Sequence, residues 1–313
     1  MKPFFLSYLF CCIASLVFAQ MPVPSSGKII RHNDFQSNFV KSRPIDVWLP
    51  EGYSTDKKYN VLYMHDGQML FDSTITWNKQ EWGIDETLSA LIKKKKIKEC
   101  IVVGIWNGGK SRHSEYFPQK ALTYLTKEEI DSLYHAVRTS GQAVFQGIEV
   151  QSGNYLKFLT QELKPFIDRT YSTKKDRQHT FIAGSSMGGL ISLYALCEYP
   201  NIFGGAACLS THWPGIFTIE NNPIPSAFIQ YMNTHLPKAE THLIYFDHGT
   251  ETLDALYPSL QLKVDSLMRS KGYTKRNWIT LVFKGTDHSE KAWRSRLQTP
   301  VLFLLSNKKH SIN

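Results

Sequence analysis

The sequence predicts an α/β fold in which a mostly parallel sheet of about eight strands has helices on both faces. Apolar, β-rich runs alternate with helical patterns from residue 45 onwards. This alternation is typical of parallel sheets, because the helix between two strands carries the chain back to the edge where the next strand starts. A second observation is the glycine-flanked Ser186, which lies between a β-rich run and a helical one. Together they predict one domain whose functional loops follow the carboxyl ends of the strands.

The first 19 residues precede the sheet and have a different composition. Lys2 is followed by an apolar run from Phe4 to Phe18, and Ala19 ends it. A basic start, a short apolar stretch and a small final residue are typical of a secretory signal peptide, and the stretch is too short for a membrane span. We expect cleavage after Ala19 and a secreted or periplasmic protein without a stable membrane anchor. The rest of the chain is predicted as a linker over 20–27, a single domain over 28–306 and a tail over 307–313.

The predicted elements follow in order along this domain. An antiparallel edge strand is expected over 28–35, and seven further strands are predicted over 45–49, 61–64, 100–105, 180–183, 205–209, 243–246 and 278–283. Helical spacing of apolar residues predicts four helices, over 84–94, 155–171, 189–198 and 257–270. About 290 residues in one such domain are enough to bury a sizeable core.

Residues 121–153 are long for a connection in this pattern. Leu125, Ile130 and Leu133 recur there at helical spacing, which predicts a helix of its own. The segment is expected to be a lid or substrate-binding insertion, with a purely structural cap as the alternative.

Composition excludes several function classes. The formal net charge is +9, and loss of Lys2 with the signal peptide leaves +8. The lysines are spread along the chain, and the one dense run, 93–96, ends a predicted helix, so we do not expect nucleic-acid binding. Three cysteines remain after export, an odd number that forms no disulfide framework. No spacing resembles a zinc or calcium site, and no metal or cofactor is predicted.

The most informative motif is the run Gly184-Ser185-Ser186-Met187-Gly188. A serine at the centre of G-x-S-x-G, on a sharp turn from a strand to a helix, is a nucleophile elbow. The positions two before and two after it must be small, so that strand and helix can pass closely, and glycine meets that need at 184 and 188. Ser186 is therefore the predicted nucleophile.

A serine hydroxyl is a weak nucleophile and needs a base that a third group orients. In this arrangement the acid and then the histidine follow the serine along the chain. His288 follows the last predicted strand and is the expected base. After the strand over 243–246, the loop offers Asp254 and Glu251 as the acid. We favour Asp254, and spacing alone does not separate the two.

Two backbone N–H groups are expected to stabilise the oxyanion of the tetrahedral intermediate. One belongs to Met187, the residue after the nucleophile, and the other to Gln68, in the glycine-containing loop after the strand over 61–64. We interpret His65 and Asp66 mainly as the structural turn of that loop. The candidates for contact with substrate are His65, Asp66, Trp106, His212 and Trp213, and Trp77 is a further candidate for stacking on a sugar or aryl ring.

These motifs resemble the esterase D family of α/β-hydrolases, which includes feruloyl and acetyl-xylan esterases, siderophore esterases and mycolyltransferases. The resemblance covers nearly the whole mature chain, from 44–50 and 62–68 through 184–189 to Asp287 and His288 with Trp293 and Arg296. It implies an α/β-hydrolase fold and an oxyanion amide at Gln68. Family members often carry the acid three residues after the glycine of the seventh-strand loop, where this chain has Thr252.

The resulting expectation is a serine esterase that hydrolyses a carboxylic ester through an acyl-enzyme. The resemblance implies an acyl-decorated polysaccharide or a siderophore as the substrate. An acyltransferase that moves the acyl group to a sugar hydroxyl is the alternative. A non-catalytic carbohydrate-binding protein with the same fold is a third hypothesis, against which an intact Ser186 and His288 argue. The oligomeric state stays open.

Overall fold

An open eight-stranded sheet forms the centre of the computed structural model, which describes residues 20–307. The predicted signal peptide, and the predicted tail beyond Asn307, lie outside the described residues. The strand order is β1-β2-β4-β3-β5-β6-β7-β8. The strands are β1 Lys28–Phe35, β2 Arg43–Leu49, β3 Asn60–His65, β4 Cys100–Ile105, β5 Thr180–Ser185, β6 Gly205–Leu209, β7 Leu243–His248 and β8 Trp278–Val282.

The pairing of these strands is mostly parallel. Strand β2 pairs antiparallel with both β1 and β4, and the remaining pairs are parallel. The carboxyl ends of β3 to β8 therefore meet at one edge of the sheet, where the loops that follow them can form a common site. The predicted fold class is confirmed.

Helices cover both faces of the sheet. The α-helices of the described residues are α1 Ile84–Lys93, α2 Arg112–Tyr116, α3 Lys127–Tyr134, α4 Ser152–Lys157, α5 Lys164–Thr170, α6 Met187–Glu198, α7 Ile224–His235, α8 Pro258–Ser270, α9 Glu290–Arg296 and α10 Gln298–Leu305. Alternate residues of β3 enter two different core clusters: Val61 and Tyr63 lie in the cluster that includes α6, whereas Leu62 and Met64 lie in the one that includes α1 and α10. Among residues 20–307, no helix is long and apolar enough to cross a membrane.

The helix predicted over 155–171 is divided in the structure. Between α4 and α5, residues Phe158–Leu163 form a π-helical turn. Pro165, in the first turn of α5, has no N–H to donate to the preceding turn. A widened turn accommodates such a missing hydrogen bond without breaking the direction of the helix.

The segment 121–153 contains the predicted helix, α3. Thr126 and Glu129 form a reciprocal capping box at its start. After α3 the chain turns back on itself, with a bridge between Val137 and Ala143, and the buried Phe145 packs into the core. The segment is thus anchored to the domain at several points.

Residues 20–27, predicted as a linker, lie along the domain. The Val23 amide donates to the Asp72 carboxylate at 2.9 Å, and the Ser25 amide donates to Asp85 Oδ2 at 2.7 Å. The indole of the buried Trp48 donates to the Ser26 carbonyl at 2.7 Å. These bonds attach residues 23–26 to the domain.

Candidate active site

Ser186 lies on the turn between β5 and α6, in a backbone conformation that is rare for a residue with a side chain. Its φ is 57° and its ψ is −124°, and the surrounding fold has to hold such strain in place. The Ser186 amide donates to the Leu209 carbonyl at 2.9 Å. A Cβ atom at Gly184 would lie 2.7 Å from the backbone of Gly188, so a side chain at 184 would push strand and helix apart. The flanking glycines therefore permit the close crossing that the motif predicts.

The backbone N–H groups of Gln68 and Met187 lie at the starts of two helices. Met187 is the first residue of α6, and Gln68 belongs to the 3₁₀ turn Gly67–Met69. The first N–H groups of a helix have no acceptor within the helix, so they are available to a ligand. Both residues line the cleft that also contains Ser186. A Cβ at Gly67 would lie 2.5 Å from the Gly104 backbone, so this turn depends on glycine.

The turn before Gln68 is braced by charge. Asp66 has a φ of 56°, and its two oxygens accept from the Arg112 guanidinium at 2.6 and 2.8 Å. The Asn107 side chain donates to the same carboxylate at 2.7 Å. Although burial opposes ionisation, these partners lower the pKa of Asp66. His65 is buried next to it and hydrogen-bonds the Tyr155 hydroxyl at 2.8 Å, and burial lowers its pKa to about 3. His65 therefore supports the turn as a neutral ring.

His288 and Asp254 form a close pair. The His288 Nδ1 atom lies 2.5 Å from Asp254 Oδ1. The His288 amide donates to the Thr252 hydroxyl at 3.0 Å, which fixes the backbone. The imidazole packs edge-on against Trp293, with 5.0 Å between the ring centroids. Asp254 and Trp293 thus restrain the imidazole, and Nε2 is the ring nitrogen that is not bonded to Asp254.

Asp254 is fully buried, and its second oxygen also has donors. Oδ2 accepts from the Ser210 hydroxyl and from the Gly249 amide, each at 2.6 Å. Burial would raise the pKa of this carboxyl, but the hydrogen bonds from His288, Ser210 and Gly249 outweigh it, so the pKa is lowered. The fold therefore holds a carboxylate, not a carboxylic acid, behind the imidazole.

Ser210 is the centre of a buried polar network behind the pair. Its oxygen accepts from the Trp293 indole at 3.0 Å and from the Arg296 guanidinium at 2.8 Å. Arg296 also pairs with Asp247 at 3.0 Å. Because the Ser210 oxygen accepts from both of these groups, its own hydroxyl proton is donated to Asp254 Oδ2. Trp293 and Arg296, which the family resemblance picked out, thus act on the acid through Ser210.

The other candidate acid lies apart from the imidazole. Glu251 is exposed, and its carboxylate accepts from the Thr250 hydroxyl at 3.0 Å. Asp254 lies within the 3₁₀ turn Thr252–Leu256, which follows Glu251 and carries Asp254 into the interior. Of the two carboxylates, only Asp254 has a hydrogen bond to His288 among the described residues.

One cleft of about 590 Å³ joins the predicted residues. Ser186, His288, Gln68 and Met187 line it. Further lining residues come from the loop after β3, the segment 121–153 and the loop after β6: Trp77, Asn78, Gln80, Arg138, His212 and Phe217. The predicted nucleophile, the predicted base and the two residues predicted to supply oxyanion donors therefore line a single space.

The tryptophan candidates lie in three different environments. Trp77 lines the cleft and is 83% exposed, so its ring is free to stack on a ligand. Trp106 does not line the cleft; its indole donates to Asp46 at 2.8 Å, and the guanidinium of Arg31 lies over its ring. Trp213 is buried and donates to Gln261 at 2.8 Å. The structure thus brings Trp77 to the site, and places Trp106 and Trp213 in structural packing.

Sequence reasoning missed Tyr257, which lies beside Ser186. Its buried hydroxyl is 2.9 Å from His212 Nδ1. Burial raises the pKa of Tyr257 well above 10, against a smaller opposing interaction with the Ser186 side chain. Burial likewise holds the pKa of His212 well below 6.5. The two groups form a neutral polar pair next to Ser186. The only signal in the sequence was the position of Tyr257, three residues after Asp254.

The geometry of the cleft agrees with the family assignment of the whole domain. A model of the Esterase family matches residues 37–304. This chain belongs to the Esterase family. The resemblance stated from the motifs and the predicted enzyme class, a carboxylic ester hydrolase, are confirmed by this membership.

Individual relatives are distant. The chain is 23% identical to the uncharacterized protein YbbA of Bacillus subtilis (strain 168), over 80% of this chain and 87% of YbbA. It is similar in structure to a ferulic acid esterase, with a TM-score of 0.61, 19% identity, and 89% of this chain and 98% of the esterase covered. The enterobactin esterase FES of Shigella flexneri has a TM-score of 0.59 and 16% identity, over 90% of this chain and 60% of FES. At these identities the likeness concerns the fold.

Proposed function

We propose that this protein is an exported serine esterase that uses Ser186, His288 and Asp254 as a catalytic triad. The observation that carries the proposal is the hydrogen bond of 2.5 Å between His288 and Asp254, next to the cleft that Ser186 lines. A base held by a buried carboxylate, together with a strained serine, is the arrangement that activates a serine hydroxyl.

In the proposed reaction, the Ser186 Oγ attacks the ester carbonyl carbon, and its proton passes to His288 Nε2. The carbonyl oxygen becomes an oxyanion, which the backbone N–H groups of Gln68 and Met187 stabilise. As the C–O bond to the alcohol breaks, His288 returns the proton to the departing alcohol. A water molecule then repeats the sequence on the acyl-enzyme, with His288 as the base, and releases the acid and free Ser186.

The proposed substrates are esters with an aryl or sugar component. The exposed ring of Trp77 at the cleft, with Phe217 on another part of the lining, offers aromatic surface to such a group. The names of the two structurally similar enzymes suggest the ester classes to test first, feruloyl esters and siderophore esters, with acetylated xylan as a third. A ratio of kcat/KM between these substrates of at least tenfold would identify the class.

The triad is tested by the Ser186→Ala variant. Wild-type protein should hydrolyse p-nitrophenyl acetate, and the variant should lose activity by several orders of magnitude while its circular dichroism spectrum stays unchanged. A fluorophosphonate should add its mass to the Ser186 peptide of the wild type and not to the variant. Hydrolysis that survives in the variant at the wild-type rate would show that Ser186 is not the nucleophile.

Export is tested separately. The full chain, expressed in a Gram-negative host, should appear in the periplasm or medium with a mass that corresponds to a start at Gln20. A cytoplasmic protein of full-length mass would contradict the proposed signal peptide without affecting the triad.

A further inference from the structure

Among residues 20–307, one guanidinium of the cleft, that of Arg138, has no carboxylate partner. Arg138 lies in the segment 121–153, in the turn closed by the bridge between Val137 and Ala143, and it lines the same cleft as Ser186. Its Cζ lies 4.4 Å from the centroid of the Phe217 ring. A guanidinium that stacks on a ring contacts it with its face and leaves the N–H groups of its edge available to a ligand.

Five other arginines of the described residues are paired with carboxylates. Each has a carboxylate within 3.0 Å: Arg31 with Asp46, Arg43 with Glu115, Arg112 with Asp66, Arg294 with Glu81 and Arg296 with Asp247. Within residues 20–307, Arg138 forms no ion pair of this kind. Its pKa is lowered, by burial and then by the charge of Arg112, with no contribution from an acid. Arg138 is thus a half-buried cation of the cleft without a carboxylate partner among the described residues.

Among the described residues, neither of the acidic side chains that line the cleft, Asp66 and Glu290, forms an ion pair with Arg138. Both oxygens of Asp66 are engaged by Arg112. Burial lowers the pKa of His113 to about 3 and that of His212 well below 6.5, so both rings are neutral near pH 7. Glu290, on the lining formed by α9, accepts from the Asn78 side chain at 2.8 Å. The positive charge of Arg138 therefore faces the space that the substrate occupies.

We propose that Arg138 binds an anionic group of the ester substrate, a carboxylate in the simplest case, and so selects esters that carry a negative charge near the scissile bond. This inference rests on the proposed esterase function. It also assigns the segment 121–153 a part in substrate binding, because this segment supplies the cation. The carboxylate can belong to the acyl half or to the alcohol half of the ester, and the experiment separates the two.

The test uses two matched pairs of probes. In the acyl pair, the p-nitrophenyl monoester of glutarate is compared with its glutaramate counterpart, which replaces the free carboxylate by an amide. In the alcohol pair, 4-carboxyphenyl acetate is compared with 4-carbamoylphenyl acetate. For each pair, the ratio of the enzymatic kcat/KM values, carboxylate over amide, is divided by the ratio of the two alkaline hydrolysis rates. This division removes the difference in intrinsic reactivity between the two esters. We expect the wild type to prefer the carboxylate about ten- to a hundredfold in one pair, mainly through KM, as a charge-assisted hydrogen bond requires.

The variants assign the preference to Arg138. Arg138→Gln should bring the corrected ratio close to one, and Arg138→Lys, which keeps the charge but loses the planar fork, should retain part of it. Lys127→Gln removes one positive charge from an exposed position of the same segment and should keep the wild-type ratio. A wild-type ratio near one in both pairs, or a preference that survives in Arg138→Gln, would overturn the inference.

Binding gives a readout that does not depend on turnover. In the Ser186→Ala background, the carboxylate probe should bind at least tenfold more tightly than its amide counterpart by titration calorimetry, and the added Arg138→Gln change should abolish the difference. If the wild type hydrolyses neutral esters but neither ratio nor binding favours the carboxylate, this inference fails and the esterase proposal stands. If no ester is hydrolysed but binding still favours the carboxylate, the esterase proposal fails and the anion site stands.

Discussion

Asp254 and Asp85 are two aspartates of the same fold with no exposed surface, and their surroundings favour opposite protonation states. Asp254, in the loop after β7, accepts hydrogen bonds from the Ser210 hydroxyl and the Gly249 amide and pairs with His288. Its pKa is lowered in spite of burial. Every oxygen of this carboxylate therefore faces a donor.

Asp85, in the first turn of α1, has far fewer donors. Its Oδ2 accepts from the Ser25 amide at 2.7 Å, but its Oδ1 makes no hydrogen bond among the described residues. A second carboxylate, Glu86, lies beside it and accepts from the Ser25 hydroxyl and from Arg294. Burial and then the neighbouring Glu86 raise the pKa of Asp85 to about 7.

The comparison shows that burial alone does not decide the charge of a carboxyl group. The number of donors aimed at it does, because each hydrogen bond to the charged form replaces part of the lost hydration. Asp254 is held as an anion and is therefore suited to stabilise an imidazolium. Asp85 keeps its proton up to neutral pH and attaches the segment 20–27 to the domain.

The largest expected effect is on catalysis. Asp254→Asn should lower kcat by about 10⁴-fold, since asparagine can neither stabilise the imidazolium nor impose the correct tautomer on His288. Asp85→Asn is the matched control: the same chemical change at an equally buried aspartate should leave kcat within about twofold of the wild type. Both are measured with p-nitrophenyl acetate. Similar losses in the two variants would mean that the effect is one of folding.

The next effect is on stability and concerns Asp85. Its folded-state pKa of about 7 lies above the ordinary value of 3.8, so the free energy of unfolding falls as the pH rises from about 4 to 7, where the unfolded chain has lost this proton and the folded one retains it. Asparagine mimics the protonated form at every pH. Relative to the wild type, Asp85→Asn should therefore gain about 3 kcal/mol between pH 5 and pH 8, at 1.36 kcal/mol per pKa unit. Urea denaturation at the two pH values measures this, and a constant difference would contradict the raised pKa.

A smaller effect is expected from the donor behind Asp254. Ser210→Ala removes one hydrogen bond to the carboxylate and should lower kcat about tenfold. The pKa of Asp254 should rise, so activity should begin to fall at a higher pH on the acidic side than in the wild type. A pH profile of kcat tests both statements. An unchanged profile with reduced kcat would indicate a displaced loop in place of a changed charge.

The smallest effect is expected at Glu251, the candidate acid whose side chain is exposed. Glu251→Gln should change kcat/KM by no more than about twofold, because the exposed Glu251 side chain contacts Thr250 and not His288. The measurement is again hydrolysis of p-nitrophenyl acetate. A loss comparable with that of Asp254→Asn would reverse the assignment of the acid.

The elements with a strong periodic pattern were predictable from the sequence, and the ambiguous ones were not. All eight strands and α1, α6 and α8 lie where alternation and helical spacing predict them, within a few residues. Helices α2, α7, α9 and α10 were not predicted, and in α10 the reason is that its run Pro300-Val301-Leu302-Phe303-Leu304-Leu305 has no polar face. An apolar run without periodicity fits a buried strand as well as a buried helix, and only its packing against α1 and the sheet decides between them.

Candidate site residues were predictable where a motif constrained the backbone. Glycine-dependent turns predict the positions of Ser186, Met187 and Gln68. The residues that specify such a turn are adjacent in the sequence. Trp106 and Trp213 were considered as substrate contacts because of their residue type alone. Whether a tryptophan lies at a cleft, beneath an arginine or in the core depends on distant neighbours such as Arg31, Asp46 and Gln261.

The sequence by itself determined the fold class, the turn that presents Ser186, the order of the proposed nucleophile, acid and base along the chain, and the family. These properties depend on local backbone preferences and on hydrophobic periodicity, which are written in neighbouring residues. Only the tertiary structure decided which carboxylate meets His288, which of the candidate tryptophans lines the cleft and which arginine there has no carboxylate partner among the described residues. Hydrogen bonds and ion pairs of this kind join residues far apart in the chain, and their formation depends on the distances that the folded sheet imposes.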